Sequence, residues 1–319
     1  MAHSPALAPD CAIGFVGLGN MGLPMALRLA AAGYSLQLMD TRPEVAREVA
    51  KKTGGRALGS VAELGAGLAA VILMLPDGQA VRQVLIDDGL LQRLAPGTMV
   101  IDMGSCEPSG TVLLGTRLRA ASVDMVDAPV SGGVARARTG ELTIMAGGTA
   151  EAVQRCRPLL DAMGSKVFLT GPLGSGQAMK ALNNFVSAAA LVATCEAVII
   201  GQHFGLDPVV IAEVLNGSTG KNNTTEHKLR QFILSRSFAS GFSLDLMVKD
   251  LSIAVSVAQH THTPTVFADR CLDVWRRAQE ALGRGHDHTE MARWLETAMR
   301  TDAMQAAGHP RQGDTHEPQ

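Results

Sequence analysis

A glycine-rich segment follows directly on the apolar run of residues 12–16: Gly17, Leu18, Gly19, Asn20, Met21 and Gly22. Taken alone, this GxGxxG spacing also fits an ordinary glycine-rich turn. Here a predicted strand precedes the segment and a predicted helix over residues 21–32 follows it, an order typical of a dinucleotide-binding turn. Gly17 permits the bend, Gly19 lets the backbone approach a pyrophosphate, and Gly22 lets the helix pack closely on the strand. The first chemistry that the sequence predicts is therefore dinucleotide binding.

An acidic residue favours one form of that dinucleotide. Asp40 ends the second predicted strand and lies 18 residues beyond Gly22, about where a ribose-binding carboxylate is expected. A carboxylate accepts hydrogen bonds from ribose hydroxyls but repels a 2′-phosphate, so NAD is predicted over NADP. Arg42 leaves an alternative open, because its guanidinium could turn towards a phosphate. We interpret it instead as a solvent-exposed turn residue before Pro43.

A second group of polar residues suits proton transfer to an alcohol. Lys180, Asn183 and Asn184 share one helix face at i, i+3 and i+4, with Gln177 one turn earlier. The lysine can give or take a proton, and the asparagines can hold the lysine and a substrate oxygen. A solvated polar stripe on an amphipathic helix has the same spacing. The long apolar run that follows favours a buried helix, in which an unpaired ammonium would be costly.

Two smaller motifs could complete a site. Ser131, Gly132 and Gly133 follow the predicted strand end, where open α/β sheets bind ligands, and their backbone N–H groups can hold a carboxylate. An ordinary turn has the same composition. Lys249 and Asp250 interrupt an apolar stretch. Adjacent residues on a helix do not face each other, so we expect separate partners for these two charges, unless the stretch reaches the surface there.

Metal and disulfide chemistry are not predicted. The cysteines show no CxxC spacing, so reduced thiols in the cytoplasm are expected: Cys11, Cys106, Cys156, Cys195 and Cys271. Two HxH pairs diverge if they lie on helices and are interpreted as surface or loop residues: His260 with His262, and His286 with His288.

The composition limits the partners. The chain has 319 residues, 46% hydrophobic content and a formal net charge of −2, with no basic surplus for nucleic acid and no charge block for a membrane surface. Residues 188–200 are apolar but contain Thr194, Cys195 and Glu196, so we interpret them as too short and interrupted to span a bilayer. Residues 1–11 lack the features of a secretory signal and are predicted to be a disordered lead-in.

The order of elements predicts an α/β fold of two parts. Apolar strands and helical segments alternate through the first half, which predicts a Rossmann-type doubly wound parallel sheet over residues 12–172. Strand signals then stop, and residues 173–302 are predicted to form an all-α domain that starts with a long interdomain helix over about residues 175–204. A polar, flexible tail is predicted for residues 303–319.

Taken in order, these motifs resemble the β-hydroxyacid dehydrogenase family, which includes 3-hydroxyisobutyrate dehydrogenase and tartronate semialdehyde reductase. The resemblance covers residues 12–300 and rests on several separate stretches: residues 15–26, Met74-Leu75-Pro76, residues 127–133, residues 174–176 with Lys180 and Asn184, and Lys249-Asp250. So many motifs in one order make the resemblance specific.

The resemblance implies a role for each matching residue. Lys180 would be the catalytic acid–base and Asn184 its helper, while Ser131, Gly132 and Gly133 would bind the substrate carboxylate. The cofactor would contact Leu75, Pro76 and Lys249. One departure is visible at Cys106, where relatives usually carry a hydroxyl residue. A thiol is the weaker hydrogen-bond donor, so the contribution of this side chain to cofactor binding is in question.

The family implies an NAD-dependent oxidoreductase that interconverts a short 3-hydroxy acid and its semialdehyde or 3-oxo acid. Its partner would be a small anionic hydroxy acid, with substrate side-chain contacts near Lys221, Asn222 and Asn223 or from a partner subunit. A homodimer or homotetramer is expected through the helical domains. An imine reductase or a catalytically silent relative is disfavoured because Lys180 is present. A decarboxylating sugar-acid dehydrogenase would need a longer helical domain.

Overall fold

The structure is a computed structural model that describes residues 5–65 and 67–307, with side chains described as far as residue 299. The chain forms two compact units. Unit 1 runs to Asn183 and includes Ile253–Pro264, and unit 2 comprises Asn184–Ser252 with the chain from Thr265 onward. The change between units therefore falls inside a helix, about ten residues after the predicted boundary at residue 172, and a later segment returns to unit 1.

Unit 1 is built on one sheet of nine strands. They are β1 (Ala12–Val16), β2 (Ser35–Met39), β3 (Arg56–Ala57), β4 (Ala70–Leu73), β5 (Met99–Asp102), β6 (Asp124–Asp127), β7 (Val130–Ser131), β8 (Leu142–Gly147) and β9 (Gly164–Gly171). The order across the sheet is β3-β2-β1-β4-β5-β6-β8-β7, with β9 also paired to β8. Reversal of the strand order beside β1 is the feature that creates a ligand crevice in doubly wound folds.

The sheet is mostly parallel, as expected, but not entirely. Pairs from β3 through β6 are parallel, and β8 pairs in parallel with β9. Strand β8 is antiparallel to β6 and to β7. The short strand β7 and the helix after it were not predicted, because the glycines there suggested a turn.

Helices cover both faces of this sheet. In unit 1 they are α1 (Gly22–Ala31), α2 (Pro43–Thr53), α3 (Gly78–Arg82), α4 (Pro108–Ala120), α5 (Gly133–Thr139) and α6 (Ala150–Met163). Proline at the first position starts α2 and α4, and the Asp77 side chain caps α3. The helix α3 is followed directly by a π-helical segment, Gln83–Asp87. Buried apolar residues form one cluster on each side of the sheet.

The predicted disordered lead-in is wrong for the residues that the structure describes before β1. The Leu7 side chain is 2% exposed. Its backbone N–H donates to the Arg155 carbonyl, and its own carbonyl accepts from the Tyr34 hydroxyl. The part of that prediction on residues 1–4 lies outside the described residues.

The remaining helices are α7 (Ser175–Phe204), α8 (Pro208–Gly217), α9 (Asn223–His227), α10 (Leu244–His260), α11 (Ala268–Leu282) and α12 (Met291–Ala307). The short helix α9 is followed by a π-helical segment, Leu229–Leu234. The helix α12 continues into the predicted flexible tail, whose residues beyond Ala307 lie outside the described chain.

The helix α7 is longer than the apolar run suggested. Its 30 residues make it, among the described helices, the one long and apolar enough to cross a membrane, and 39% of its most apolar window is buried. The expectation that residues 188–200 are too short to span a bilayer is therefore wrong. Core helices pass the same test, so length and composition alone do not separate the two possibilities.

Candidate active site

The glycine turn after β1 has the geometry that a dinucleotide needs. Gly17 has φ +93°, and a Cβ there would lie 2.3 Å from the Met74 carbonyl oxygen. A Cβ on Gly22 would lie 1.9 Å from the Gly17 oxygen. At Gly19, by contrast, a Cβ would meet nothing within 4 Å. Two glycines are thus required by close packing and the third faces open space, where a pyrophosphate could approach the start of α1.

Asp40 links this turn to the end of β2. Its carboxylate accepts from the backbone N–H of Leu18 at 2.8 Å and of Arg42 at 3.0 Å. Burial opposes ionisation, but these hydrogen bonds and the Arg42 charge hold the pKa of Asp40 below its usual value. The Arg42 side chain is 59% exposed, as expected, and its Nε also lies 3.3 Å from Asp40. Asp40 is therefore an ionised acceptor where an adenosine ribose is expected.

The polar face of α7 is its buried face. Gln177 is 0% exposed, Lys180 9% and Asn184 7%, whereas the apolar Met179 and Leu182 are 41% and 42% exposed. Asn183 is half-buried. A solvated polar stripe is therefore wrong for this helix. Because burying polar groups costs free energy unless they are hydrogen-bonded, this inverted pattern makes the face a candidate functional site.

Two neighbouring carboxylates hold the start of α7. Asp102 on β5 and Asp127 on β6 are register partners, and both are fully buried. Asp127 accepts from the backbone N–H groups of Gly174 at 2.7 Å and Gln177 at 2.8 Å, where a helix start favours negative charge. Burial nevertheless raises the pKa of Asp127, although these hydrogen bonds act to lower it. No spacing in the sequence indicated this structural role for either acid.

The Gln177 amide joins this helix to the loop after β5. Its Oε1 accepts from the backbone N–H of Cys106 at 2.9 Å, and its Nε2 donates to Asp102 at 3.3 Å. The Cys106 side chain is 2% exposed. The loop predicted to contact the cofactor is thus fixed through its main chain to the helix that carries Lys180. Two further residues predicted to contact the cofactor lie just beyond the end of β4. Leu75 is half-buried and Pro76 is exposed.

The segment predicted to bind a carboxylate has backbone that favours glycine. Gly132 has φ +128° and Gly133 φ +66°, both in the region that side-chain-bearing residues rarely adopt. Ser131 ends β7, paired with Thr143 on β8, and α5 begins at Gly133. The expected turn therefore joins a strand to a helix start, with Gly132 and Gly133 exposed.

In unit 2, Asn184 and Lys249 meet at Asp250. The Asp250 carboxylate accepts from Asn184 Nδ2 at 2.5 Å, and Lys249 Nζ lies 3.6 Å from its other oxygen. Asp250 is 1% exposed and the Lys249 side chain 26%. The expectation that the adjacent Lys249 and Asp250 need separate partners is wrong, because the long lysine chain reaches back to its neighbour. Asp250 thus orients the amide of Asn184.

The residues expected near the substrate side chain have structural roles in this unit. Asn222 caps α9 by accepting from the N–H groups of Thr224 and Thr225, and its amide donates to Thr194. Lys221 forms an exposed ion pair, and Asn223 is exposed.

Within the described chain, no three His, Cys, Asp or Glu side chains form a group that could hold a metal ion. The five cysteines are free thiols, and burial raises the pKa of Cys156 and Cys195 to about 12. The surface assignment is wrong for His288, which is 2% exposed.

Comparisons with known proteins agree with this geometry. Residues 12–171 match the model of the NAD binding domain of 6-phosphogluconate dehydrogenase. Residues 174–295 match the model described as NAD-binding of NADP-dependent 3-hydroxyisobutyrate dehydrogenase.

Several relatives align with this chain over most of its length and over most of their own. An NAD-dependent L-serine dehydrogenase of Pseudomonas aeruginosa is 38% identical over 83% of this chain and 91% of its own. The mitochondrial 3-hydroxyisobutyrate dehydrogenase of Mus musculus is 35% identical over 86% of this chain and 83% of its own. The structure of Mycobacterium tuberculosis 3-hydroxyisobutyrate dehydrogenase with L-serine superposes with a TM-score of 0.82 at 31% identity, covering 90% of this chain and 99% of that one. The chain therefore belongs to the β-hydroxyacid dehydrogenase family.

Proposed function

We propose that this chain is an NAD-dependent dehydrogenase that interconverts a short 3-hydroxy acid and its semialdehyde or 3-oxo acid. The observation that carries the proposal is the buried polar face of α7, which places Lys180 between Gln177 and Asn184. The relatives, whose names describe oxidation of serine and hydroxyisobutyrate, support a reaction at a CH–OH group.

Substrate binding is assigned to groups that attract a carboxylate. The exposed N–H groups at Gly132 and Gly133, with the Ser131 hydroxyl, would hold the acid and orient its hydroxyl carbon. Asn183 and Asn184 would donate to the substrate oxygen. Since Asp250 already holds the Asn184 amide, little rotational freedom remains to be lost on binding.

Lys180 is assigned the proton transfer. In the reducing direction its ammonium donates a proton to the carbonyl oxygen as that oxygen gains charge, and in the oxidising direction its amine accepts the hydroxyl proton. A bound nicotinamide supplies the hydride acceptor or donor. Gly17, Gly19 and Gly22 would hold the pyrophosphate, Asp40 the ribose, and Leu75, Pro76 and Lys249 the nicotinamide half.

The preference for NAD rests on Asp40. Its pKa is lowered, so the carboxylate is charged at neutral pH and would repel a 2′-phosphate. The exposed Arg42 side chain lies beside this carboxylate. Its interaction with Asp40 competes with binding of a 2′-phosphate but does not prevent it. We therefore infer a preference for NAD rather than exclusive use.

The central test combines a substrate panel with a lysine variant. Short 3-hydroxy acids are oxidised with NAD or NADP, and reduced cofactor is followed by absorbance. Lys180→Met should lower kcat by about 100- to 10,000-fold, the range that general acid–base catalysis contributes. NADH binding, followed by fluorescence, should change less than threefold.

The matched control is Lys166→Met, which removes an exposed lysine on β9 and should leave turnover unchanged. Retained turnover in the Lys180 variant would refute the assignment of the proton transfer. Absence of turnover by the unmodified protein with every acid and both cofactors would refute the proposed function itself.

A further inference from the structure

The loop proposed to bind the substrate carboxylate is covered on one side by an arginine. Gly132 immediately precedes α5, and Arg136 lies four residues later on that helix. A Cβ on Gly132 would lie 2.9 Å from the Cβ of Arg136 and 2.8 Å from its Cδ. The aliphatic part of the Arg136 side chain therefore occupies the space that any side chain at position 132 would need.

The direction of this side chain brings its charge towards the exposed backbone of the loop. Side chains on a helix lean towards its N-terminus and cover the turn before their own Cα. For Arg136 that turn contains Gly132 and Gly133, whose backbone N–H groups are proposed to hold the carboxylate. Because the contact with Gly132 extends to Cδ, the guanidinium group, which follows Cδ directly, lies beside the loop.

The Arg136 charge is not neutralised within the part of the chain that the structure describes. No described residue forms an ion pair, a side-chain hydrogen bond or a ring contact with its guanidinium. Exposed arginines are ordinary in themselves, and Arg138 on the same helix is exposed as well. Residues i and i+2 on a helix face different sides, however. Arg136 therefore differs from Arg138 in lying against the loop.

The loop and the proposed proton-transfer residue are anchored by the same carboxylate. Asp127, four residues before Ser131, accepts from the backbone N–H of Gln177 at 2.8 Å. Lys180 follows Gln177 by three residues on α7. All of these residues and Arg136 belong to unit 1. The position of the Arg136 charge can therefore be related to the proposed reaction within one unit.

We propose that Arg136 is a specificity-determining residue that pairs with the carboxylate of the substrate. A guanidinium donates two parallel hydrogen bonds to a carboxylate, whereas a neutral amide or ester offers no charge to pair with it. The substrate class is then restricted to ionised acids, and neutral analogues of the same shape are poor substrates. The inference rests on the proposed function, because it assumes that the carboxylate binds at Ser131, Gly132 and Gly133.

An acid and its neutral analogue test the inference. The pair consists of the 3-hydroxy acid with the highest kcat/KM in the substrate panel and its primary amide, and the unmodified protein should prefer the acid at least tenfold. Arg136→Met should raise KM for the acid at least tenfold, because a charged hydrogen-bonded pair is lost. The kcat should change less than threefold, since the carboxylate does not react. Neither kcat/KM for the amide nor KM for NAD should change more than threefold.

Two further variants and a change of salt separate charge recognition from folding. Arg136→Lys keeps the charge without the planar fork and should retain part of the preference for the acid. Arg138→Met removes the neighbouring charge and should change neither substrate. Raising the ionic strength from about 10 mM to about 150 mM shortens the screening length from about 30 Å to about 8 Å. This change should lower kcat/KM for the acid more in the unmodified protein than in Arg136→Met.

Each outcome has a distinct meaning. Equal losses with the acid and the amide in Arg136→Met would show a structural arginine and overturn the inference. A rise in KM for NAD without a rise for the acid would assign the charge to the cofactor and also overturn it. Kinetics unchanged by Arg136→Met would overturn it with the proposed function intact. If the unmodified protein oxidises no acid with either cofactor, the proposed function fails, and the inference fails with it.

Discussion

At the scale of single residues, Asp40 holds the glycine turn and carries a charge where the adenosine ribose of the cofactor is proposed to bind. One carboxylate oxygen accepts from the Leu18 N–H, and the other faces the backbone and side chain of Arg42. An isosteric amide would keep an acceptor for Leu18 while removing the charge. Replacing Asp40 with asparagine can therefore test the choice between NAD and NADP without removing the hydrogen bond that holds the turn.

Asp40→Asn should raise the ratio of kcat/KM with NADP to that with NAD by at least tenfold. The negative charge no longer repels the 2′-phosphate, and the Arg42 guanidinium, now 3.3 Å from Asp40, becomes free to bind it. Steady-state kinetics with both cofactors measure the ratio. Adding Arg42→Met to Asp40→Asn should reverse most of the gain, and an unchanged ratio would refute the charge argument.

Gln177 is a positioning residue whose effect can be made dependent on pH. In Gln177→Glu the new carboxylate still accepts from the Cys106 N–H. Its other oxygen takes the place of Gln177 Nε2, which lies 3.3 Å from the Asp102 carboxylate. Burial and like charge raise the pKa shared by such a pair. When protonated, the introduced carboxyl group would donate to Asp102 as the native amide does, so the hydrogen bond is present at low pH and lost as pH rises through the raised pKa.

We therefore expect the reductive kcat of Gln177→Glu to be about tenfold below that of the unmodified protein at pH 8, and nearly equal to it at pH 5. The ratio of the two rates across this range is the measurement. Gln177→Met, which cannot titrate, should stay impaired at every pH. A ratio for Gln177→Glu that does not change with pH would contradict the coupling.

At the scale of elements, the structure agrees with the prediction from sequence where a helix or strand has a continuous local pattern of apolar residues. The predicted long helix over about residues 175–204 is α7, Ser175–Phe204, because its apolar spacing is continuous. Strand β7 has two residues and no periodic pattern, so it was missed. That Lys180 and Asn184 share one face of α7 could be predicted from their spacing. The hydrogen bonds of its first turn could not, since the partners of Gln177 lie 50 to 75 residues away.

The 3₁₀ segment His288–Glu290 gives unit 2 a predictable response to acid. Burial lowers the pKa of His288 to about 4, below the value of about 6.5 for an unfolded chain. The unfolded state therefore binds more protons between these values, so stability is gained as pH rises and lost as pH falls. From pH 8 to pH 5 this residue should lower the free energy of unfolding by about 2 kcal/mol.

His288→Asn should remove that dependence. The asparagine amide can donate to the Phe242 carbonyl, which now lies 3.0 Å from His288 Nδ1, but it does not titrate. Both tryptophans of the chain, Trp275 and Trp294, belong to unit 2, so their fluorescence during urea unfolding reports on this unit. The same pH dependence in the variant and the unmodified protein would contradict the assignment.

At the scale of the whole molecule, unit 2 has a group of exposed apolar side chains. The end of α7 and the adjoining α8 carry several large apolar side chains that are between 47% and 83% exposed: Ile200, Phe204, Leu206, Val209, Val210 and Val214. A contiguous patch of this kind marks an interaction surface in soluble proteins. We propose a second copy of the chain as its partner, in keeping with the expected homodimer or homotetramer.

Phe204→Asp should reduce the mass of the assembly, because Phe204 is 83% exposed and a charge there would have to be desolvated in an interface. Light scattering after size exclusion at micromolar concentration measures the mass. Leu113→Asp is the matched control, since Leu113 is 60% exposed on α4 in unit 1 and should not change the assembly. If the unmodified chain has the mass of a monomer, or if both variants keep the full assembly, the α7–α8 patch is not the interface, and its apolar residues need another partner.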